Sequence, residues 1–434
     1  MMPRANMPQW VFENLANINQ REEPPWLADF REYHRDYFLK TGLPSQCHER
    51  WKYTNFTCLQ QQTFSVAKPF GVIEKSVYEK VKAHRLSADN IFLVCVDGFY
   101  IPQLSELSQL PQGSIVCHLR EAIYQYTELI KAHWPPPIDA KRYPFAGLNA
   151  ALSCDGMFFY IPDGCEFKIP VHILMVATDQ HACIACPQQI IILGESSKLS
   201  VLEEYIAWSD CPYFMNVLTS MTVSAGAHLE YYKYQKQTNS TIHFAHTLIQ
   251  QHSNSTVNHV NVSSSNKFTR DDLLIQLNDI GANCYTSGFY QLHQDEQYVE
   301  HHVDIEHRAP HSRSEMLYKG ILDRKSQAVF NGRLHVVPYA QKIFAHQENH
   351  HLLLANQAQA YSKPELEIYA DDVQCKHGAT TGELDQDALF YLRSRGIDYR
   401  ESLSILLRGF ADEIIQRIKH EGIKKHIQQD EVAV

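Results

Sequence analysis

Apolar positions are spaced in two different ways along this chain, and the change from one to the other divides it. In "PWLADFREYHRDYFL", Trp26, Leu27, Phe30, Tyr33, Tyr37 and Phe38 recur three and four residues apart, which predicts a helix with one apolar face. "TGLPSQ" stops that helix. "NIFLVCVDGFYIP" then reads as a strand, a tight Asp-Gly turn and a second short strand. From about Tyr143 to Asp372 helical spacing largely gives way to short strands such as "VHILMVAT", "KLSVLEEYIAW", "HLEYYKYQ" and "TVNHVNVSS". Polar turns including "GESSKLSV", "SAGAHLEY", "HSNSTVNH" and "DIGANCYT" return at intervals of roughly 27 to 30 residues. That period predicts a solenoid in which each strand pairs with the coils before and after it.

Three regions follow: a mixed, largely helical domain over 1–142, a β core over 143–382 and a helical domain over 383–434. "HWPPPI" forms a stiff spacer near the first boundary. The flanking domains are expected to cap the solenoid, because a bare end coil leaves a row of unpaired backbone groups. At the C-terminal end Asp385 caps a helix carrying Ala388, Leu389 and Leu392, which Gly396 terminates. Asp398, with Glu401 three residues on, caps a second helix carrying Leu403, Leu406, Leu407, Phe410 and Ile414. The tail "GIKKHIQQDEVAV" is polar enough to be expected frayed.

Composition narrows the function. A chain of 434 residues with 44% hydrophobic and 20% charged residues builds its core without disulfides. Its net charge of −10, with scattered basic residues, argues against nucleic acid or an anionic membrane as partner. The start shows no secretory pattern, no run approaches a membrane span, and eleven irregularly spaced cysteines fit reduced thiols; the expected compartment is the cytoplasm. No GxxxxGK[ST] is present, so the chain is expected not to hydrolyse nucleotide by itself.

The chemistry concentrates in "DDVQCKHGAT". Cys375 and His377 stand two apart at the expected end of the last strand, so both project from one face. Thiolate and imidazole bind iron, zinc or copper, but two ligands fall short of a closed four-ligand site. The pair also fits a buried cysteine and a hydrogen-bonded histidine at a strand-to-helix junction. Three weaker candidates are the histidines His293, His301, His302, His307 and His311, the lone CxxC of Cys183 and Cys186, and the acidic pair Asp371 and Asp372. The acidic pair fails as a glycosidase dyad because adjacent strand residues face opposite ways.

The segments "LYKGILDRKSQAVFNGRLHV", "SKPELEIYADDVQCKHGATTGELDQDALFYLRSRGI" and "LLRGFADEII" resemble the SufB/SufD family of iron–sulfur cluster assembly scaffolds. The form HGAT at His377 to Thr380 is closer to SufD than to SufB members, and "GLPSQCHERWKYTNF" resembles the SufD pattern around Glu49, Trp51, Lys52, Tyr53 and Thr54. The resemblance implies a mainly β fold, a right-handed parallel β-helix flanked by helical domains. It implies a non-catalytic scaffold that pairs with SufB and docks the ATPase SufC. His377, together with Cys375, then faces SufB where a nascent iron–sulfur cluster is transiently held, each chain supplying an incomplete ligand set. The same resemblance assigns SufC docking to Arg393, Arg395, Gly396, Leu406, Leu407, Gly409 and Phe410, with the apolar ones alternatively capping the solenoid. It leaves open a reduced flavin in the complex and a homodimer of the isolated chain. From other classes, a β-helix enzyme acting on polysaccharide and a stand-alone metal-binding protein remain as alternatives.

Overall fold

A computed structural model describes residues 7–17, 22–69, 71, 73–87, 90–135, 138–178, 181–208, 210–264 and 266–430. Its centre is a parallel β-solenoid of about seven turns. Each coil lays one strand in each of two sheets. The first sheet includes Gly156–Ile161, Gln188–Leu193, Tyr213–Val223, Thr241–Gln251, Phe268–Leu277, Tyr298–His307, Gln327–Val336 and Gln359–Ile368. The second includes Val171–Ala177, Lys198–Ala207, His228–Lys236, Thr256–Ser264, Asn283–Leu292, Arg313–Leu322, Ile343–Leu353 and Val373–Glu383. Thr256 lies beside Asn283, Asn283 beside Arg313 and Arg313 beside Phe344, steps of 27, 30 and 31 residues that match the period of the polar turns.

Inward positions of both sheets form one apolar column running from Ile91 and Val171 to Leu366 and Cys375. The sheets reach back before residue 143. Ile91–Val96 pairs in parallel with Val171–Ala177, and Asp97 and Gly98 turn the chain into Phe99–Tyr100 as the Asp-Gly spacing predicts. Pro136 and Pro137 of the expected spacer lie outside the described residues.

Both flanking domains lie on outer faces of the sheets. The N-terminal helices Gln9–Ala16 and Pro25–Thr41, with Pro144–Leu152, cover the first sheet: Trp10, Phe38, Trp51 and Phe145 pack on Phe214, Phe244, Phe268 and Tyr298. At the other end of the chain, Tyr399–Ile415 covers the second sheet, burying Leu407, Ala411 and Ile414 against Tyr232, Val260, Phe289 and Leu317. The expected caps at Asp385 and Asp398 form, Asp385 accepting from the amides of Asp387 and Ala388 and Asp398 from that of Glu401. Gly396 takes φ +88° just beyond the first of these helices.

Two expectations are overturned. The tail is not frayed over its first part, because Glu421–Asp430 is a third helix whose Ile423 and Ile427 are fully buried in the same cluster. Its polarity misleads because only one narrow stripe meets the sheet, and two isoleucines fill it; residues 431–434 lie outside the described set. The second correction concerns capping: among the described residues neither domain closes the far edge of the last coil. Gln359–Ile368 and Val373–Glu383 are the terminal members of their sheets, and among the described residues no strand pairs with their far sides.

Candidate functional site

Cys375 and His377 lie near the start of Val373–Glu383 rather than at its end, and both occupy inward-facing positions on this unpaired edge. Cys375 pairs in register with Ala345 and His377 with Gln347. Among the described residues no strand pairs beyond this one, so these inward side chains line the open end of the column. Cys375 is half-buried among Val373, Leu366 and neighbouring apolar groups, and that burial pushes its thiol pKa up. His377 is exposed. The two ligand candidates are therefore adjacent, accessible from outside, and incomplete as a coordination set.

The other strand of the open end is held by the N-terminal domain. The segment Glu49–Trp51 and its continuation run across the outer face of the first sheet. Arg50 bonds Asp272 and Asp304, at 3.2 and 3.1 Å. Arg270, fully buried, joins Asp272 and Glu300 and lies 3.5 Å from the centre of the Trp51 ring. Thr54 donates to Glu300 at 2.8 Å. Burial alone would raise the Glu300 pKa, but Arg270 and His302 beside it win and hold it down at about 2. Two further contacts reach the edge strand itself: Lys363 to Glu49 at 2.5 Å, and Tyr361 stacked on Tyr53. The residues around Glu49 to Thr54, noticed in sequence as a resemblance, thus form a strap over the last coils.

The weaker candidates are not brought together. His301 points inward beside Tyr290 and Tyr318, whereas His302 points outward and bonds Glu300 at 2.5 Å. His307 is spent on Ser312 and Ser314, and His311 sits in a turn at φ +59°. Cys183 packs in the interior column and Cys186 in the N-terminal cluster, so the CxxC thiols serve opposite sides of the backbone. Asp371 and Asp372 are exposed, Asp372 lying 3.6 Å from Lys342. Among the described residues no group of three or more His, Cys, Asp or Glu is arranged to hold a metal ion.

On the C-terminal helices Arg393, Arg395, Gly396 and Gly409 are exposed and Leu406 and Phe410 are partly covered. Leu407 takes the alternative role and not the docking one: at 1% exposure it packs on the second sheet. Residues that the sequence reading missed are Phe390, Tyr391, Tyr399 and Ile405, which are 74, 56, 52 and 41% exposed. Arg393 lies over the Tyr399 ring and Arg395 over Tyr391. The signal was present as apolar residues off the helical stripe, at positions that the packed face does not need.

The sequence profile of the SufBD core domain of the SUF iron–sulfur cluster assembly system matches residues 175–410, and that of the SufBD N-terminal region matches 9–173. The chain belongs to the SufB/SufD family. Relatives within it include a SufBD family iron–sulfur cluster assembly protein of Synechocystis, 28% identical over 93% of this chain and 90% of the relative. SufD of Escherichia coli is 28% identical over 91% of this chain and 90% of its own. SufB of Bacillus subtilis is 22% identical over 95% and 89%. The core-domain match covers most of the solenoid and the first two C-terminal helices as far as Phe410, and among the described residues no helix is long and apolar enough to cross a membrane.

Proposed function

We propose that this chain is a non-catalytic, SufD-type scaffold subunit that pairs end to end with SufB, docks SufC and helps build a nascent iron–sulfur cluster as cargo. The observation that carries this reading is the placement of His377 and Cys375 on an edge strand at the open end of the solenoid, its far side paired with no strand among the described residues. Two free sheet edges in one coil are a template for a second chain, since their backbone groups gain partners only from outside. A ligand set divided between chains lets a cluster be assembled and then surrendered, whereas a four-cysteine cage on one chain retains it.

SufC docking fits the exposed aromatic and arginine surface of Gln386–Ser394 and Tyr399–Ile415. Aromatic and arginine side chains are the types that dominate interface energies. Motion of a SufC pair on ATP binding would pass through Leu407 and Ala411 into the second sheet, and so to its last strand. The test is co-expression of His377→Ala with SufB and SufC. The complex is expected to assemble at normal stoichiometry and fail to mature a cluster; normal maturation would overturn the reading.

A further inference from the structure

Directly beneath His377, one coil down, the interior is bridged by a polar side chain that the apolar column does not explain. Gln347 is fully buried on Ile343–Leu353 and is the register partner of His377, so the two side chains stack inward on strands about 4.8 Å apart. Its amide crosses to the opposite sheet, where the Nε2 group donates to the carbonyl of Gly332 at 3.2 Å. Space for it depends on that glycine: a Cβ at 332 would stand 2.3 Å from Gln347 Nε2 and 2.7 Å from its amide carbon. Gly332, an inward position of Gln327–Val336, thus leaves room for this crossing.

The other half of the amide is unspent. Gln347 Oε1 is buried and accepts no hydrogen bond, and a buried carbonyl oxygen without a donor is destabilising. The residue in register above it carries an imidazole, whose neutral form has one N–H and one bare nitrogen. We infer that Gln347 is a positioning residue for His377. The bond requires the exposed His377 ring to turn toward the column, so that one ring N–H donates to Gln347 Oε1, which fixes the tautomer and directs the other nitrogen's lone pair toward the open end. Histidine ligands generally give their second N–H to such an acceptor, because it fixes the ring and raises its basicity. Gln347 touches no cargo itself; it acts through His377, and its part in assembly rests on the reading of His377 given above.

The contact is tested on the full chain alone, by nitrogen-15 chemical shifts of labelled His377, which report tautomer directly. Wild type is expected to hold one tautomer. Gln347→Leu is expected to give a mixture with cooperative unfolding retained, Gln347→Glu to restore a single tautomer because its carboxylate still accepts, and Gly332→Ala to match Gln347→Leu by displacing the amide. A tautomer mixture in wild type, or one unchanged in Gln347→Leu, overturns the inference. Should Gln347→Leu fail to fold, Gln347→Glu decides alone: anything but a single tautomer overturns it. In the complex reconstituted with SufB and SufC, a chelator is expected to strip the cluster about tenfold faster from Gln347→Leu than from wild type. A changed tautomer with unchanged cluster loss would leave the positioning contact standing and remove His377 from the ligand set.

Discussion

The ring of Tyr53 lies over that of Tyr361, with centroids 4.3 Å apart and planes 20° from parallel. This stack ties the N-terminal strap to the outermost strand of the first sheet, whose far side pairs with no strand among the described residues. Tyr53→Ala is expected to cost about 1 kcal/mol beyond its lost buried area. Backbone amides of Gln359–Ile368 should exchange faster while those of Tyr213–Val223 do not. Hydrogen exchange resolved by segment checks this, and equal effects on both strands would show that the strap does not act locally.

Deeper in the strap, Arg270 and Glu300 form a fully buried ion pair at 2.6 Å. Removing one member leaves the other uncompensated, so Arg270→Met is expected to destabilise by about 3–5 kcal/mol in urea titration at neutral pH. The Glu300 pKa falls from 4.5 to about 2 on folding. The folded state therefore binds this proton less readily than the unfolded state does. The resulting stabilisation is full above about pH 4.5 and is lost as pH falls toward 2. Denaturant titrations across that window should show a shallower slope with pH for Glu300→Gln than for wild type.

Leu407 and Phe390 stand on neighbouring helices with opposite exposure. Leu407→Ala should cost about 2–5 kcal/mol in stability through a cavity under the helix. Phe390→Ala, at a position 74% exposed, should leave the melting temperature within a degree or two and weaken capture of SufC by tenfold or more. Thermal melts and pull-downs on both variants separate these roles.

The thiols predict a footprint. Cys47 is exposed and Cys375 half-buried with its pKa raised by that burial. Alkylation of the free chain at pH 7 should therefore mark Cys47 ahead of Cys375. Pairing with SufB should protect Cys375 and leave Cys47 reactive. Mass spectrometry of the labelled peptides reads both sites at once, and unprotected Cys375 would place the interface elsewhere.

Truncation after His420 removes Ile423 and Ile427, each fully buried. At about 1.5–3 kcal/mol per buried side chain, the loss should be about 3–6 kcal/mol, with Tyr232 and Tyr234 uncovered on the second sheet. A lower unfolding midpoint and greater dye binding by the truncated chain are the expected readouts.

Much of this architecture is written locally. Strand length, the polar turns near Ser196 and Asn254, and the caps at Asp385 and Asp398 each depend on a few adjacent residues, and all appear where the spacing puts them. The pair Cys375 and His377 was legible for the same reason, since alternate residues of a strand share a face. What spacing does not show is which faces meet. Leu407 and Ile405 are two apart on one helix, yet one packs on the sheet and the other is 41% exposed. The open last coil was missed because helices after a solenoid can lie on its flank as readily as across its end. Interior polar groups are hidden too: Lys233 and Asp271 pair 2.7 Å apart in the column, and the rule that charge faces water gives no signal of it. Gln347 escaped notice in the same way.

The bare last coil also has a consequence for self-association. Among the described residues the last coil presents two rows of amides and carbonyls that no strand pairs with, so each copy carries an adhesive end. If that edge is left uncovered, copies of this chain are expected to seek the same bonds among themselves.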